Sequence, residues 1–393
     1  MHVLFLSRWF PFPPNNGSRL RIYHLLCGLA QRHTVTLLSF TEPSEPRPDL
    51  ASLSAFCTHV QTVERRPFRP DRLRARLGFL SLTPRSVIDT YAPEMEALIA
   101  RAVAAGPDVV IASQFDMAVY HRAFRGLPAL LEEIELGIYY DRWTQAAALG
   151  RKVRAALTWA KHRRYLAQLL HDFRACTVAA EEERQIVRQH VLRGRALPVV
   201  VIPNGVDLVS YARTQEPPQQ HTLIFTGSFR YFANHEAMIW FVDQVLPRIQ
   251  AAEPATRLVI TGDHAGLPLP PAPNVILTGL LPDIRPWLAR AWVSVVPIQQ
   301  GGGTRLKILE AMASGVPVVT TTKGAQGLVA RHEEHLLIAD SADDFAAAVL
   351  RLLRDPALRQ RLANNAYQLV RERYDWSTIL PIFLDLVEQV ARP

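Results

Sequence analysis

The sequence predicts an α/β protein of two doubly wound, Rossmann-like domains, and three observations carry that expectation. Short apolar, β-branched runs alternate with helical patterns along the whole chain. Several of the runs end in Gly or Pro, where a strand gives way to a loop. The pattern also restarts after one polar, breaker-rich stretch from Arg213 to His221, which contains Glu216-Pro217-Pro218-Gln219-Gln220. The expected domains are therefore 1–212 and 213–375, with a last helix over 376–393.

A chain of 393 residues with 49% hydrophobic composition has ample material for buried cores. No window holds the roughly 18 apolar residues that a bilayer span requires. Met1-His2-Val3-Leu4-Phe5-Leu6 lacks a charged leader and a small-residue cleavage site, and reads as a first strand. Cys27, Cys57 and Cys176 are scattered and odd in number, without metal-ligand spacing, which fits a reducing cytoplasm. The net charge of +8 is uneven: residues 1–212 carry 27 Lys and Arg against 19 Asp and Glu, while 213–393 carry 17 of each.

Taken in order, Val3 to Ser7 leads through an irregular Pro-rich loop to Gly17-Ser18 and a helix bearing Leu20, Tyr23, Leu26 and Leu29. Gly17 either presents amides to a phosphate or sugar or simply starts that helix. Thr34 to Phe40 is a second strand. From Glu64 to Arg76 six arginines sit among Phe68 and Leu73, reading as a solvated segment or as a surface for anionic lipid or phosphate-bearing acceptors. Asp108 to Ser113 is a buried-type strand, and Asp116 just beyond it reads as a helix N-cap or as a partner for a substrate hydroxyl. Leu130 to Glu135 is an acidic strand end whose side chains are candidates to face an acceptor cleft, as are Gln114 and Asp116 past the strand before it. Arg151 to Arg174 is a long basic helix with interspersed leucines, suited to packing on its own domain or to lying on a membrane. Val199 to Asp207 holds a strand and the turn Pro203-Asn204-Gly205.

The second half supplies strands at Thr222–Thr226, Arg257–Thr261, Val275–Gly279, Ala291–Pro297 and Pro317–Thr321, with helices over Glu236–Ile249, Asp343–Leu353 and Arg359–Arg373. Its focus is Gly301 through Val319. Three glycines free the backbone for a tight turn, and a short helix then runs to Gly315, a natural C-cap. Leu306, Leu309 and Ala313 recur at helical spacing, so Glu310 lies beside the apolar face, where a carboxylate needs donors such as ribose hydroxyls. Arg305 and Lys307 adjoin the positive helix end, a combination suited to a diphosphate.

These stretches together resemble a retaining glycosyltransferase of the large family four, with the two-Rossmann GT-B fold, which implies domains facing across a cleft and a last helix over 376–393 packing back toward the first domain. The match rests on Val201-Ile-Pro-Asn-Gly-Val-Asp207, Phe225-Thr-Gly-Ser228, Val275-Ile-Leu-Thr-Gly279 with Asp283, and Gly301 through Val319. It is similar to the branch of sugar transferases found with bacterial exopolysaccharide loci. The resemblance implies that Glu310 binds the donor ribose and that Gly303 and Thr304 approach the donor through their amides. It further implies that Gly279, Leu280 and Leu281 hold the nucleobase, that Gly227 and Arg230 line the diphosphate, and that Gly17 closes on it from the first domain.

Two departures stand out. The first Glu of the family's Glu, seven residues, Glu motif falls at Gly302, and no Lys follows Arg230 in its loop. Arg305 and Lys307 are then expected to neutralise the leaving diphosphate. The family's first-domain histidine falls near Ser113, which leaves that role open, with Asp116 as a candidate. The implied chemistry is sugar transfer from a nucleotide-diphosphate donor to a glycan or lipid-linked acceptor with retention. No Asp-x-Asp pair is placed for a metal, so no metal or other cofactor is expected. The expected setting is the cytoplasm, at the inner face of a membrane with anionic lipid. Nucleic acid is not an expected partner, since no recognition motif accompanies the basic half. A non-catalytic nucleotide-sugar-binding partner of an assembly complex and a GT-B sugar-nucleotide epimerase remain alternatives.

Overall fold

A computed structural model describes residues 1–45, 48–212, 217–301 and 305–392. The chain divides into two compact units, one formed by Met1–Pro203 with Leu380–Pro393 and the other by Asn204–Ile379.

The first unit holds seven parallel strands: β1 (His2–Ser7), β2 (Thr34–Thr41), β3 (His59–Glu64), β4 (Val109–Ser113), β5 (Ala129–Ile134), β6 (Ala175–Val178) and β7 (Val199–Val201), in the order β3-β2-β1-β4-β5-β6-β7. The second holds β8 (Thr222–Thr226), β9 (Arg257–Thr261), β10 (Val275–Gly279), β11 (Val293–Val296), β12 (Val318–Thr320) and β13 (Leu337–Ile338), in the order β10-β9-β8-β11-β12-β13. Helices on both faces explain why the central strands read as unbroken apolar runs: every residue of β4 and of β8 is buried. In each unit the strand order reverses beside the first strand, between β1 and β4 and between β8 and β11. Ligands of open parallel sheets bind at the carboxyl ends of strands near such a reversal.

The division after Pro203 falls ahead of the polar stretch at 213–221. The N–H of Val206 donates to the Tyr374 carbonyl at 2.8 Å, and the Val206 carbonyl accepts from Trp376 at 3.1 Å. These pairings bind the segment after Pro203 into the second unit before the loose chain begins. The last helix, Trp376–Ala391, starts in the second unit and is counted with the first from Leu380 onward. There Leu380 packs so tightly on Gly28 that a Cβ at that glycine would lie 2.7 Å from Leu380 Cδ2.

Two helices differ from expectation. The basic helix runs Leu149–Leu169 and tightens into a turn at Leu170–Asp172, because Arg174 already carries an N–H bonded to Ala129 at the start of the sheet edge. The helix expected from Glu236 starts at Phe232 and continues through a wide turn at Phe241–Val245 to Ala252. Its first turn is held by Asn234, whose side-chain amide donates to the Ser228 carbonyl at 2.7 Å.

One feature of the first unit has no sequence signature. Arg21, on the helix Gly17–Ala30, is 1% exposed and donates to Glu132 Oε1 at 2.6 Å, and to the carbonyls of Ile202 and Pro203 at 2.9 and 3.1 Å. Glu132, fully buried at the end of β5, also accepts from Ser113 Oγ at 2.7 Å at the end of β4. One ion pair thus ties a helix, two strand ends and the chain leaving β7. Removing one partner strands a buried charge, at a cost of about 3–5 kcal/mol. Arg21→Ala is expected to lower stability by about that amount in a denaturant titration, and Arg21→Met with Glu132→Met together by distinctly less. Equal losses in the single and double variants would refute the pairing argument.

Candidate functional site

The second unit gathers most of the predicted residues along the carboxyl edge of its sheet. The helix Leu306–Ala313 follows β11 and buries Ile308, Leu309, Ala311 and Met312 in the core. That packing fixes the side chains on its other face. Lys307 and Glu310, three residues apart, share that face.

Lys307 Nζ donates to Asn234 Oδ1 at 2.8 Å and lies 3.9 Å from the centre of the Phe225 ring. Its pKa is pushed down to about 7, by burial above all and by the nearby Arg305 charge, with Glu310 opposing both. Burial likewise raises the Glu310 carboxyl, against the lowering influence of Lys307 and of a hydrogen bond from Tyr211. The Tyr211 hydroxyl is pushed well up by burial and by Glu310. Tyr211 sits on the short helix Leu208–Ala212, pinned by Arg285 through a 3.0 Å bond to the Ser210 carbonyl. Arg285 in turn is held by both oxygens of Asp283 at 2.8 Å. A polar chain therefore runs from Asp283 through Arg285, Tyr211, Glu310 and Lys307 to Asn234.

Arg305 is buried and caps the turn, donating to the Gly301 carbonyl at 2.9 Å. Gly302, Gly303 and Thr304 lie outside the described residues. Gly227, after β8, has φ +147, and a Cβ there would stand 2.7 Å from Lys307 Nζ and 2.8 Å from Asn234 Nδ2. Arg230 is exposed and paired with Asp263, at the end of β9, rather than held beside Lys307. Gly279 ends β10, with Leu280 exposed beyond it and Leu281 partly covered. A shallow groove lined by Leu350, Arg351, Arg354 and Leu358 sits instead on the helices Ala342–Arg354 and Pro356–Arg373.

In the first unit, Gly17 begins the helix Gly17–Ala30, whose N-cap is Asn16, accepting from Arg19 N–H at 3.0 Å. Asp116 is not an N-cap. It lies inside the short helix Phe115–Ala118, whose cap is Gln114, and its carboxylate faces Arg8 Nε at 3.2 Å and Arg65 Nη2 at 3.8 Å. Arg65, first read as part of an outward basic run, thus points inward.

Sequence reasoning placed Gln114 and Glu133 only among the polar residues at two strand ends, and did not foresee their backbone, at φ +67 and φ +58. Their side chains meet at 2.9 Å at the ends of β4 and β5, and the Glu133 N–H is held by Thr177 Oγ1 at 2.9 Å. Burial raises the Glu133 carboxyl to about 7, with Arg21 opposing and Glu132 adding to the rise. Two side-chain-bearing residues in the left-handed region signal strain that the surroundings overcome. The signal available in the sequence was the unbroken pair Glu132-Glu133 at a strand end.

Gly227→Ala should push Lys307 off Asn234 and cost about 1–3 kcal/mol of stability, read by chemical denaturation. An unchanged midpoint would mean that the packing around Lys307 is loose.

Residues 220–355 match the family described as Glycosyl transferases group 1. The chain is 29% identical to a phosphatidyl-myo-inositol mannosyltransferase of Mycobacterium leprae, over 52% of this chain and 58% of that protein. It is 24% identical to an uncharacterized 44.6 kDa protein in the cps region of Klebsiella pneumoniae, over 39% of this chain and 42% of the other. The chain thus spans about half the length of these curated relatives. Anabaena Alr3699/HepE, solved in complex with UDP and glucose, aligns with a TM-score of 0.67 over 99% of this chain and 100% of that one at 16% identity, a likeness of fold. Most of the second unit thus matches the glycosyl transferases of group 1, and the two parallel sheets are those of the GT-B fold.

Proposed function

We propose that the chain is a retaining glycosyltransferase that moves a sugar from a nucleoside-diphosphate donor to a glycan or lipid-linked acceptor in the synthesis of a bacterial surface polysaccharide, at the inner face of the cytoplasmic membrane. The observation that carries it is Lys307: a cation under-compensated by its own unit, one helical turn from Glu310, at the strand ends of the group 1 domain. HepE, with its UDP and glucose, supports a donor of this class.

In this assignment Glu310 accepts from the two ribose hydroxyls. Lys307, reinforced by the charge of Arg305, meets the diphosphate. As the bond between the anomeric carbon and the phosphate oxygen breaks, negative charge grows on the leaving group, and a fixed cation in a partly desolvated site stabilises it. An acceptor hydroxyl attacks from the same face and passes its proton to the departing phosphate oxygen. Side-chain cations take the place that a divalent metal holds in other transferases, so none is invoked. Gly227 lets the donor approach the backbone, Arg230 flanks the phosphates, and Gly279 to Leu281 border the base. For the acceptor side, Glu133 is favoured over Asp116, whose carboxylate is engaged by two arginines.

Formation of a glycosylated product from a labelled nucleotide sugar tests the activity; binding without turnover would favour a non-catalytic partner, and a changed donor sugar an epimerase. Glu310→Ala should weaken donor binding about tenfold or more, since hydrogen bonds to a charged group contribute about 1.5–3 kcal/mol. Lys307→Met should cut turnover by about 10²–10³. A diphosphate favours the charged amine and raises the Lys307 pKa from about 7. Binding above that pH must then take up a proton, and affinity falls as pH rises through the window toward the ordinary lysine range. Calorimetry of nucleoside diphosphate in buffers of different ionisation enthalpy should show this uptake in the wild type and lose it in Lys307→Met.

A further inference from the structure

The first unit exposes apolar side chains on two separate elements. Leu73 and Leu77 lie on the short helix Leu73–Leu77, and Leu80, 90% exposed, tips the loop that follows. Leu149, Val153 and Leu157 stand exposed at four-residue steps along Leu149–Leu169, opposite the buried Trp159 and Leu166. An isolated exposed leucine is ordinary, but contiguous apolar surface of this extent is not.

The loop is built, not slack. Arg85 donates to the Ala75 carbonyl at 2.8 Å and the Pro70 carbonyl at 3.1 Å, and its guanidinium lies 3.8 Å from the Phe79 ring centre. The two elements also touch. Lys161, one turn beyond Leu157, donates to the Phe79 carbonyl at 2.8 Å and to that of Gly78 at 3.2 Å. The loop between Leu77 and Leu80 is therefore tied to the long helix one turn from Leu157.

Charge says what covers them. From Arg65 to Arg85 seven arginines stand against one acid, Asp71, and Leu149–Leu169 carries six cations and no carboxylate. Arg65 turns inward to Asp116 and Arg72 pairs with Asp89, but Arg74, Arg76, Arg151, Lys152 and Arg154 are exposed around the leucines. Apolar side chains framed by long cationic ones suit a bilayer surface, where leucines reach the acyl boundary and guanidinium groups stay at the phosphates.

We propose that this surface of the first unit docks on an anionic phospholipid bilayer, with Leu77 and Leu80 at its apolar centre and the Arg74 to Arg76 and Arg151 to Arg154 cations on the headgroups. It deepens the function proposed above by naming where a lipid-linked acceptor would be met, and it rests on that function only for its purpose. Vesicle binding needs neither donor nor acceptor, so its failure and a failure of the transferase activity are separate results.

The test is flotation of the full chain with phosphatidylcholine vesicles, with and without phosphatidylglycerol. Binding is expected only with phosphatidylglycerol and should weaken as salt rises. Leu77→Asp with Leu80→Asp, and Arg151→Glu with Arg154→Glu, should each lower it about tenfold or more. Val329→Asp, at an exposed site of the second unit, should leave it unchanged. Leu80→Asp alone removes little packing, so circular dichroism should show its fold intact and its binding reduced. Equal binding to neutral vesicles would overturn the proposal, as would full binding by the leucine variants or a solution dimer that Leu80→Asp splits and that ignores vesicles.

Discussion

Each unit buries a cation at the carboxyl edge of its parallel sheet, and the difference in how the two are compensated organises everything else. Arg21 is surrounded by the Glu132 carboxylate, two backbone carbonyls and the nearby Glu133, so it keeps its charge despite complete burial. It is a structural cation. Lys307 has an amide oxygen, an aromatic face and a carboxylate that is itself pushed toward neutrality. These neighbours do not offset its desolvation, and the amine titrates near 7. The same physics that makes Arg21 a brace leaves Lys307 in want of an anion.

The fold was legible because parallel sheets advertise themselves. Runs such as Val109 to Ser113 and Thr222 to Thr226 must be apolar on both faces, and the breaks after them fall where loops leave the sheet. Glu310 was legible for a related reason: a carboxylate beside Leu309 and Ala313 is conspicuous on a short helix. What escaped were pairings between residues far apart in the chain. Arg21 and Glu132, Tyr211 and Glu310, or Lys307 and Asn234 carry no periodicity, since each depends on which loops the sheet brings together. The compact units part after Pro203, ahead of the polar stretch, for the same reason. Composition marks loose segments, whereas the Val206 ladder to Tyr374 and Trp376 decides ownership.

Charge counts proved coarser than charge placement. The basic excess of the first half is not all outward, since Arg8, Arg19, Arg21 and Arg65 turn inward onto Glu42, Glu45, Glu132 and Asp116. Part of the outward remainder stands on two elements that Lys161 joins. A helix with no carboxylate in Leu149–Leu169 can present Trp159 to the core and Leu157 to another medium because its cations tolerate either side.

The ends of β8 and β9 close on each other as backbone alone. A side chain at Gly262 would sit 2.7 Å from the Gly227 carbonyl carbon, and Gly227 itself has no room beside Lys307. This part of the molecule therefore offers natural variation no purchase: any residue larger than hydrogen displaces a strand end. Donor preference in proteins sharing this backbone would have to diversify where side chains stand clear of that contact, as Arg230, Tyr231 and Leu280 do, so their identities should track the sugar or base far better than the glycines can.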